Sequence, residues 1–311
     1  MTLDAAASRQ FALIAKAIAF IRARGPLEPT LEEIAAAVPL SAQQLERVLA
    51  DWAGISPKCF VHYLSRDYLR QQLAASADVL TVDDVATLTS LNNASHNDEL
   101  RLSYETMTPD QVKAAARGID IGYGFGPTPF GDALVAWTPR GICHLAFSAG
   151  EAEAEAVLLG ELAALWPAAS LERDDKRAHD QLQGIFSPTP THDGVHVVLR
   201  GTNFQLRIWA ALIRLEPGQI VSYGQLARAL HAPKSSRAVG SAIAANTVGF
   251  LIPCHRMIRA GGAFGEYRWG NERKQAMIVW EAHRRWVRGQ NLPSSAADTP
   301  TVPVDDCPVQ G

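Results

Sequence analysis

Cys254, His255 and Arg256 follow an apolar Leu251-Ile252-Pro253 step within the segment LIPCHRMIRAGGAFGEYRWG. The apolar approach predicts a sheltered sulfur with a titratable ring and a fixed cation beside it. A free thiol has a pKa of about 8.5 and attacks well only as thiolate, so it needs a hydrogen-bonded base or a nearby cation. His255 could take the proton directly or through one water, and a carboxylate from elsewhere could hold the imidazole in one tautomer; Glu281 is the candidate. The plainer alternative is a small buried hydrophobe beside an incidental histidine. The other cysteines, Cys59, Cys143 and Cys307, lie far apart in the chain. No pair has zinc-knuckle spacing and four cysteines in 311 residues do not read as a disulfide framework, so a reducing interior, no metal and no cofactor are expected.

Such a group needs a core behind it. With 311 residues, 47% of them hydrophobic, the chain can bury more than one core, and two or three domains are expected. The formal net charge of -3 gives no whole-molecule field for a polyanion, so any nucleic-acid surface must be local. Arg256, Arg259, Arg268, Arg273, Lys274, Arg284, Arg285 and Arg288 cluster near the C-terminal end, whereas acids outnumber bases over the first hundred residues. No charged segment followed by a long apolar run opens the chain, and no stretch reaches membrane-spanning length. A cytoplasmic protein without membrane contact is expected.

The elements around Cys254 read as helical. Phe204, Ile208, Leu212 and Ile213 form one apolar face, Pro217-Gly218 turns the chain, and short helices are predicted over Tyr223–Leu230 and from Ser235 or Ser236 through Ala245. A last helix runs over Asn271–Val287. Upstream, Ala133, Val135 and Trp137 alternate on one strand and Ile142, His144 and Ala146 on the next, across Pro139-Arg140-Gly141, which is a hairpin pattern. A helix over 151–166 and a strand over Val195–Leu199 follow.

In the front third, Phe11, Ile14, Ile18 and Ile21 keep helical spacing up to Gly25-Pro26. Thr30, with Glu33 three residues on, opens a short helix that Pro39 ends; Ser41 opens another that buries Leu45, Val48 and Leu49 and exposes Gln43, Gln44, Glu46 and Arg47. Two short helices across a tight turn is the helix-turn-helix layout, although a plain helical packing unit reads the same way. A longer helix from Pro57 carrying Phe60, Leu64 and Leu69, then a second pair over Val82–Thr89 and Ala94–Tyr104, would repeat the unit. The tail from Leu292, rich in Pro, Ser, Thr and Asp, is expected to be disordered.

IPCHRMI resembles the active-site segment of the methylated-DNA–protein-cysteine methyltransferases, the family of the O6-alkylguanine repair proteins. The resemblance extends to VSYGQLA, SSRAVGSAIAAN, GEYRWG, the glutamate of the last helix and the strand-rich TPFGDALVAWTPRGICHLAF, about residues 117–290 in all. It implies repair in which Cys254 accepts the alkyl group of O6-methylguanine in duplex DNA, with O4-methylthymine as a second candidate substrate. Each molecule would act once, because a thioether has no easy route back to thiol. His255 would be a water-mediated base polarised by Glu281, and Asn246 would brace the turn before Cys254. Tyr223 and Arg237 would turn out the target nucleotide and fill its place, Ala238, Gly240 and Ala242 would let the helix approach the minor groove, and Ser241 and Arg256 would add DNA contacts. Tyr267, Arg268, Trp269 and Met257 would form the alkyl pocket. Plainer roles stay open: a helix cap for Asn246, a solvated face for Glu281, packing for Tyr223 and an ordinary surface position for Arg237. Met257, Thr247 and Arg268-Trp269 replace the family's usual valine, proline and serine-glycine pair, and an indole in the pocket loop predicts poor reaction with bulky groups.

The front segment LEEIAAAVPLSAQQLERVLADWAGISPKCFVHYLSRDYLRQQLAAS resembles the paired helix-turn-helix domain of AraC-type regulators, over about residues 10–114. It implies possible promoter DNA as a second partner, read by Gln43, Gln44 and Arg47. The whole is similar to the bifunctional proteins related to Ada, without their four-cysteine zinc domain. The expected fold is multidomain: an all-α AraC-like double helix-turn-helix domain over 1–115, an α/β ribonuclease H-like subdomain with an antiparallel sheet over 116–200, a mainly helical winged-helix-like catalytic subdomain over 201–290, and a disordered tail over 291–311. The second unit, VDDVATLTSLNNASHNDEL, is acidic and lacks the customary glycine-phenylalanine pair, which predicts weak operator binding. Three functions follow: a monomeric repair enzyme acting on double-stranded DNA; a transcriptional regulator of an alkylation response with the methyltransferase as damage sensor; and a non-catalytic module that binds alkylated bases. The presence of Cys254, His255 and Glu281 argues against the third.

Overall fold

The computed structural model describes residues 5–25, 29–76, 93–95, 102–107, 118–148, 152–186 and 194–291. Helix α1 (Ala5–Arg24) buries Phe11, Ile14, Ala17 and Ile18 along one stripe. Helices α2 (Leu31–Ala37) and α3 (Ala42–Ala53) each start with a capping box, Thr30 with Glu33 and Ser41 with Gln44. The long helix predicted from Pro57 is two helices, α4 (Pro57–Leu64) and α5 (Arg66–Ala75). Ser65 has extended backbone and its hydroxyl accepts the Tyr68 N–H, so the residue caps a new helix instead of continuing the old one.

The helix predicted over Val82–Thr89 lies outside the described residues. The one predicted over Ala94–Tyr104 does not form: Asn93–Ser95 (β1) and Leu102–Thr106 (β2) are strands. A period of two wins there, since Leu102 and Tyr104 are buried while Ser103 and Glu105 are partly exposed. Both strands extend a seven-stranded sheet of order β1-β2-β7-β5-β4-β3-β6, with β3 (Asp120–Gly126), β4 (Ala133–Thr138), β5 (Gly141–Phe147), β6 (Ser170–Arg173) and β7 (Val195–Leu199). The β3-β4-β5 meander is antiparallel, but β2 and β5 flank β7 in parallel and β6 runs parallel to β3. The sheet is therefore mixed, not antiparallel as expected. Helices α6 (Ala152–Leu165) and α7 (Asp175–Phe186), which follow β5 and β6, supply the crossovers that parallel entry requires.

The remaining chain is α8 (Asn203–Ile213), β8 (Val221–Ser222), α9 (Tyr223–Ala229), α10 (Ser236–Ala244), a 3-10 turn over Cys254–Arg256, β9 (Met257–Ile258) and α11 (Asn271–Asn291). The front helices do not stand apart from it. One apolar core runs from Phe11 through Trp52 and Phe130 to Trp280. Trp52 donates its indole N–H to the Pro129 carbonyl at 2.7 Å and meets Phe60 and Phe130 edge-on. Arg22 pairs with Glu272 at 3.0 Å, and Arg273 lies over the Phe11 ring. Trp52→Ala is expected to cost about 3–5 kcal/mol and to lower the unfolding midpoint of the catalytic part together with the front helices. A denaturant titration followed by several reporters checks this. A separate early transition confined to the front helices would contradict the shared core.

Cys143 and Cys254 are free, whereas Cys59, buried in α4, is disulfide-bonded, contrary to the reading of the cysteines as thiols. Among the described residues, no helix is long and apolar enough to cross a membrane and no group of His, Cys, Asp or Glu is placed to hold a metal.

Candidate active site

A two-stranded parallel pair sets the frame. Val221 pairs with Met257 and Ser222 with Ile258, so the start of α9 at Tyr223 lies beside the turn that carries Cys254. The loop before Cys254 is tied to the sheet: Leu145 N–H donates to the Thr247 carbonyl at 3.1 Å, and Gly249 N–H donates back to Leu145 at 2.7 Å. Phe250 takes a left-handed backbone, φ 63°, at a cost of roughly 1–2 kcal/mol. Its ring stacks on His255 with the planes 5° apart and packs against Phe186 and Trp280, contacts that hold the turn in place.

Asn246 organises the sulfur. Its side-chain oxygen accepts the Val248 N–H at 2.9 Å, and its amide nitrogen lies 3.1 Å from the Ile252 carbonyl and 3.2 Å from Cys254 Sγ. Burial pushes the Cys254 thiol up, while the Asn246 amide, the Lys274 ammonium and Tyr267 oppose the shift. A donor and a cation both favour thiolate over thiol, so partners for the anion are already in place around the sulfur.

Glu281 is buried and accepts four hydrogen bonds: from His255 Nε2 at 2.9 Å, Arg256 Nε at 2.9 Å, Arg256 Nη2 at 2.7 Å and the Gly218 N–H at 3.1 Å. Gly218 must be glycine, because φ is +77° and a Cβ would meet the Glu281 carbonyl and the Arg285 side chain. Burial alone would raise the Glu281 carboxyl; Arg256 and His255 instead hold it well below the usual carboxylate range. A carboxylate only accepts, so His255 carries its proton on Nε2 and presents a lone pair at Nδ1. Burial lowers the His255 pKa, and Nδ1 has no hydrogen-bond partner among the described residues. The arrangement is a neutral base with one nitrogen locked and the other available.

Arg256 was expected to touch DNA and does not fit that role. It is 5% exposed and spends its guanidinium on Glu281 and the Leu215 carbonyl. Two more of the basic run are drawn inward: Arg273 donates to the carbonyls of Phe130, Ser148 and Trp269, and Lys274 is 1% exposed, whereas Arg268 is exposed and pairs with Glu161 at 2.8 Å. The clustered basic letters therefore divide between interior groups and exposed ones, Arg259 and Arg285 among the latter.

Of the expected pocket residues, Tyr267 lies beside the thiol, and burial raises its hydroxyl well above the ordinary value. Met257 is fully buried in β9, and Arg268 is tied to α6 through Glu161. Trp269 packs edge-on against Phe147 and Tyr267, and a Cβ on Gly249 would lie 2.9 Å from its ring. The indole is buried and fills the space between Tyr267, Phe147 and Gly249. Trp269→Gly is expected to cost about 3–5 kcal/mol without speeding reaction with a benzyl group. Chemical denaturation and a benzyl-transfer assay check this; faster transfer at unchanged stability would restore the steric reading.

Arg237, Ala238 and Ser241 are exposed on α10, and a Cβ on Gly240 would lie 3.9 Å from the half-buried Tyr223 ring. Gln43, Gln44 and Arg47 are exposed on α3, in the front helices. Gln44 is already committed in part, since its side-chain oxygen accepts the Ser41 N–H at 2.8 Å.

Residues 203–283 match the family described as 6-O-methylguanine DNA methyltransferase, DNA binding domain. The bifunctional transcriptional activator/DNA repair enzyme Ada of Escherichia coli is 33% identical over 261 residues, covering 81% of this chain and 70% of Ada. The chain belongs to this family. It is a DNA-repair methyltransferase that moves a methyl group from DNA to a protein cysteine, and DNA is its partner. The regulatory protein ada of Salmonella typhimurium is 30% identical over 258 residues, 82% of this chain and 71% of that protein. The methylated-DNA–protein-cysteine methyltransferase of Mycobacterium bovis is 41% identical over 107 residues, 34% of this chain and 65% of the relative.

One residue of this methyltransferase's site was missed in the sequence. Lys274 is buried beside the thiol; burial lowers its pKa to about 8, against the supporting charges of Cys254 and Glu266. The available signal was a lysine leading the buried run Gln275 to Trp280 of α11, where a solvated lysine is out of pattern.

Proposed function

We propose that this methyltransferase clears O6-alkylguanine from duplex DNA, with Cys254 as the acceptor and one alkyl group taken per molecule. The thiol proton passes to His255 Nδ1 through one water, the thiolate attacks the alkyl carbon in line, and the carbon–O6 bond breaks. The electron pair stays on guanine, which regains a proton as the neutral base. Glu281 stabilises the imidazolium that forms, and Asn246 and Lys274 stabilise the thiolate before attack. Tyr223 and Arg237, at the open side, turn out the target nucleotide and occupy the gap, offsetting part of the few kcal/mol of unstacking.

The observation that carries this reading is the His255 ring, locked at Nε2 by Glu281 and open at Nδ1, directly after a thiol that its surroundings are built to ionise. Titrating a fixed amount of protein with duplex containing O6-methylguanine should consume one lesion per molecule and then stop; continued turnover would contradict a thioether product. Running O4-methylthymine in parallel measures the second substrate. A regulatory role through α3 is favoured by the exposed Gln43 and Arg47, and gel-shift binding of the full chain to its own promoter, lost in Arg47→Ala, is the expected result for it.

A further inference from the structure

With Arg256 and Lys274 buried, Arg273 spent on carbonyls and the net charge at -3, the basic run offers less positive surface for a duplex than its letters suggest. An unexpected part of the chain borders the proposed lesion face and adds to it. Helix α5 of the front third is joined to this border at three points. Arg70 Nε donates to the Gly261 carbonyl at 3.3 Å, in the loop that follows the active-site strand. Gly262 sits directly on α5, with φ +76°, and a Cβ there would lie 2.9 Å from the Arg66 carbonyl and 3.0 Å from Arg70 Cγ, so only glycine permits the approach. At the other end, Gln225 of α9 donates its side-chain N–H to the Leu73 carbonyl at 2.9 Å.

The same loop reaches the proposed DNA side, since a Cβ on Gly265 would lie 3.0 Å from the Tyr223 hydroxyl. Arg66 and Arg70 are on α5 with Arg70 exposed, and Arg259 is exposed at the start of the loop. Neither Arg66 nor Arg259 has a salt bridge among the described residues. Arg70 has only Asp67 at 3.5 Å, and that carboxylate is 87% exposed, a screened contact that a phosphate can displace. The other carboxylate of this border, Glu266, is exposed and engages Asn271 at 3.3 Å.

We infer that α5, through Arg66 and Arg70, extends the damaged-DNA contact surface beyond the catalytic part, holding backbone phosphates of the lesion-bearing duplex next to the loop of Arg259. This rests on the reading that Tyr223 and Arg237 face the lesion. The front helices then serve repair itself, by a helix other than α3.

The test is binding of the full-length protein to a short duplex containing O6-methylguanine, measured over about 50 to 200 mM salt. Arg66→Gln with Arg70→Gln should weaken binding about 5- to 20-fold at the middle of that range and reduce the salt slope by about 1.8, the value for two phosphates. Arg66→Lys with Arg70→Lys, which keeps the charge, should restore most of both. Arg237→Gln separates the two readings. If it weakens binding while the glutamine pair leaves the salt slope unchanged, the inference about α5 is overturned and the lesion face stands. If neither changes binding, the lesion face and the inference both fall. Weaker binding by the glutamine pair at an unchanged slope is a packing effect, and overturns the inference as well.

Discussion

Cys254→Ser is expected to abolish methyl transfer, with a single-turnover rate at least about 10⁴-fold below the wild type, on the scale seen when a nucleophile is removed from an otherwise intact site. The substitution is nearly isosteric, so the turn, the Asn246 contacts and the His255–Glu281 pair should survive it. What is lost is the ionisable group. Asn246 and Lys274 can bring a thiol toward its anion, but they cannot do the same for a hydroxyl, whose ionisation lies far above any working pH. Cys143 cannot substitute: it is buried in β5, its thiol is pushed up to about 12 by desolvation, and it donates to the Ala136 carbonyl. Quenched-flow transfer from labelled duplex measures the loss. Residual transfer within tenfold of wild type would place the acceptor elsewhere.

Glu281→Gln should damage both stability and chemistry. The carboxylate is the shared acceptor of His255, Arg256 and Gly218, and a carboxamide would leave the buried Arg256 cation uncompensated while turning an N–H toward groups that are themselves donors. Breaking a buried pair from one side costs about 3–5 kcal/mol. The imidazole would also lose the partner that fixes its proton on Nε2, so transfer should slow even in folded molecules.

The pH dependence separates the contributions by window. The Glu281 carboxyl is depressed in the folded protein, so its stabilisation is complete above the unfolded value of 4.5 and fades only as pH falls further toward the folded value. His255 and His144 act in the same sense at higher pH, since burial lowers both, His144 from 6.5 to about 4. Their unfolded forms bind protons first, so the wild type should lose stability as pH falls from about 6.5 to 4 through the histidines. Glu281→Gln should remove only the part lost below that window. Denaturant midpoints across the pH range read this directly. Should Glu281→Gln leave the protein as stable as wild type at neutral pH, the pair contributes little.

The reactive segment was legible because its chemistry is local: thiol, imidazole and arginine are consecutive, and the remote glutamate lies on a strongly periodic helix. Their environments were less legible. Arg256 sits in a basic run that reads as a DNA surface, yet burial and pairing are properties of the partner Glu281, 25 residues away. Trp269 reads as a pocket obstruction by its place in the loop, and its true neighbours, Phe147 and Gly249, come from other elements. Helices α2 and α3 were found by their caps, because Thr30 and Ser41 carry positional signals. Ser65 carried the same kind of signal and was passed over inside an apolar period. Strand β2 was misread because Leu102-Ser103-Tyr104 satisfies a helical or an alternating pattern over so short a stretch, and only the open edge of β7 decides between them. The docking of α1, α3 and α5 on the catalytic part left almost no trace in the letters, since Trp52–Pro129 and Arg70–Gly261 are contacts between distant segments.

The account rests on Cys254 as the acceptor, and peptide mass analysis after reaction with duplex containing O6-methylguanine tests it most directly. The expected result is one methyl group per molecule, confined to the peptide that carries Cys254 and absent from the same peptide of Cys254→Ser. Methyl groups on Cys143, on Cys59 or distributed over several peptides, or lesion loss with an unmodified protein, would contradict it.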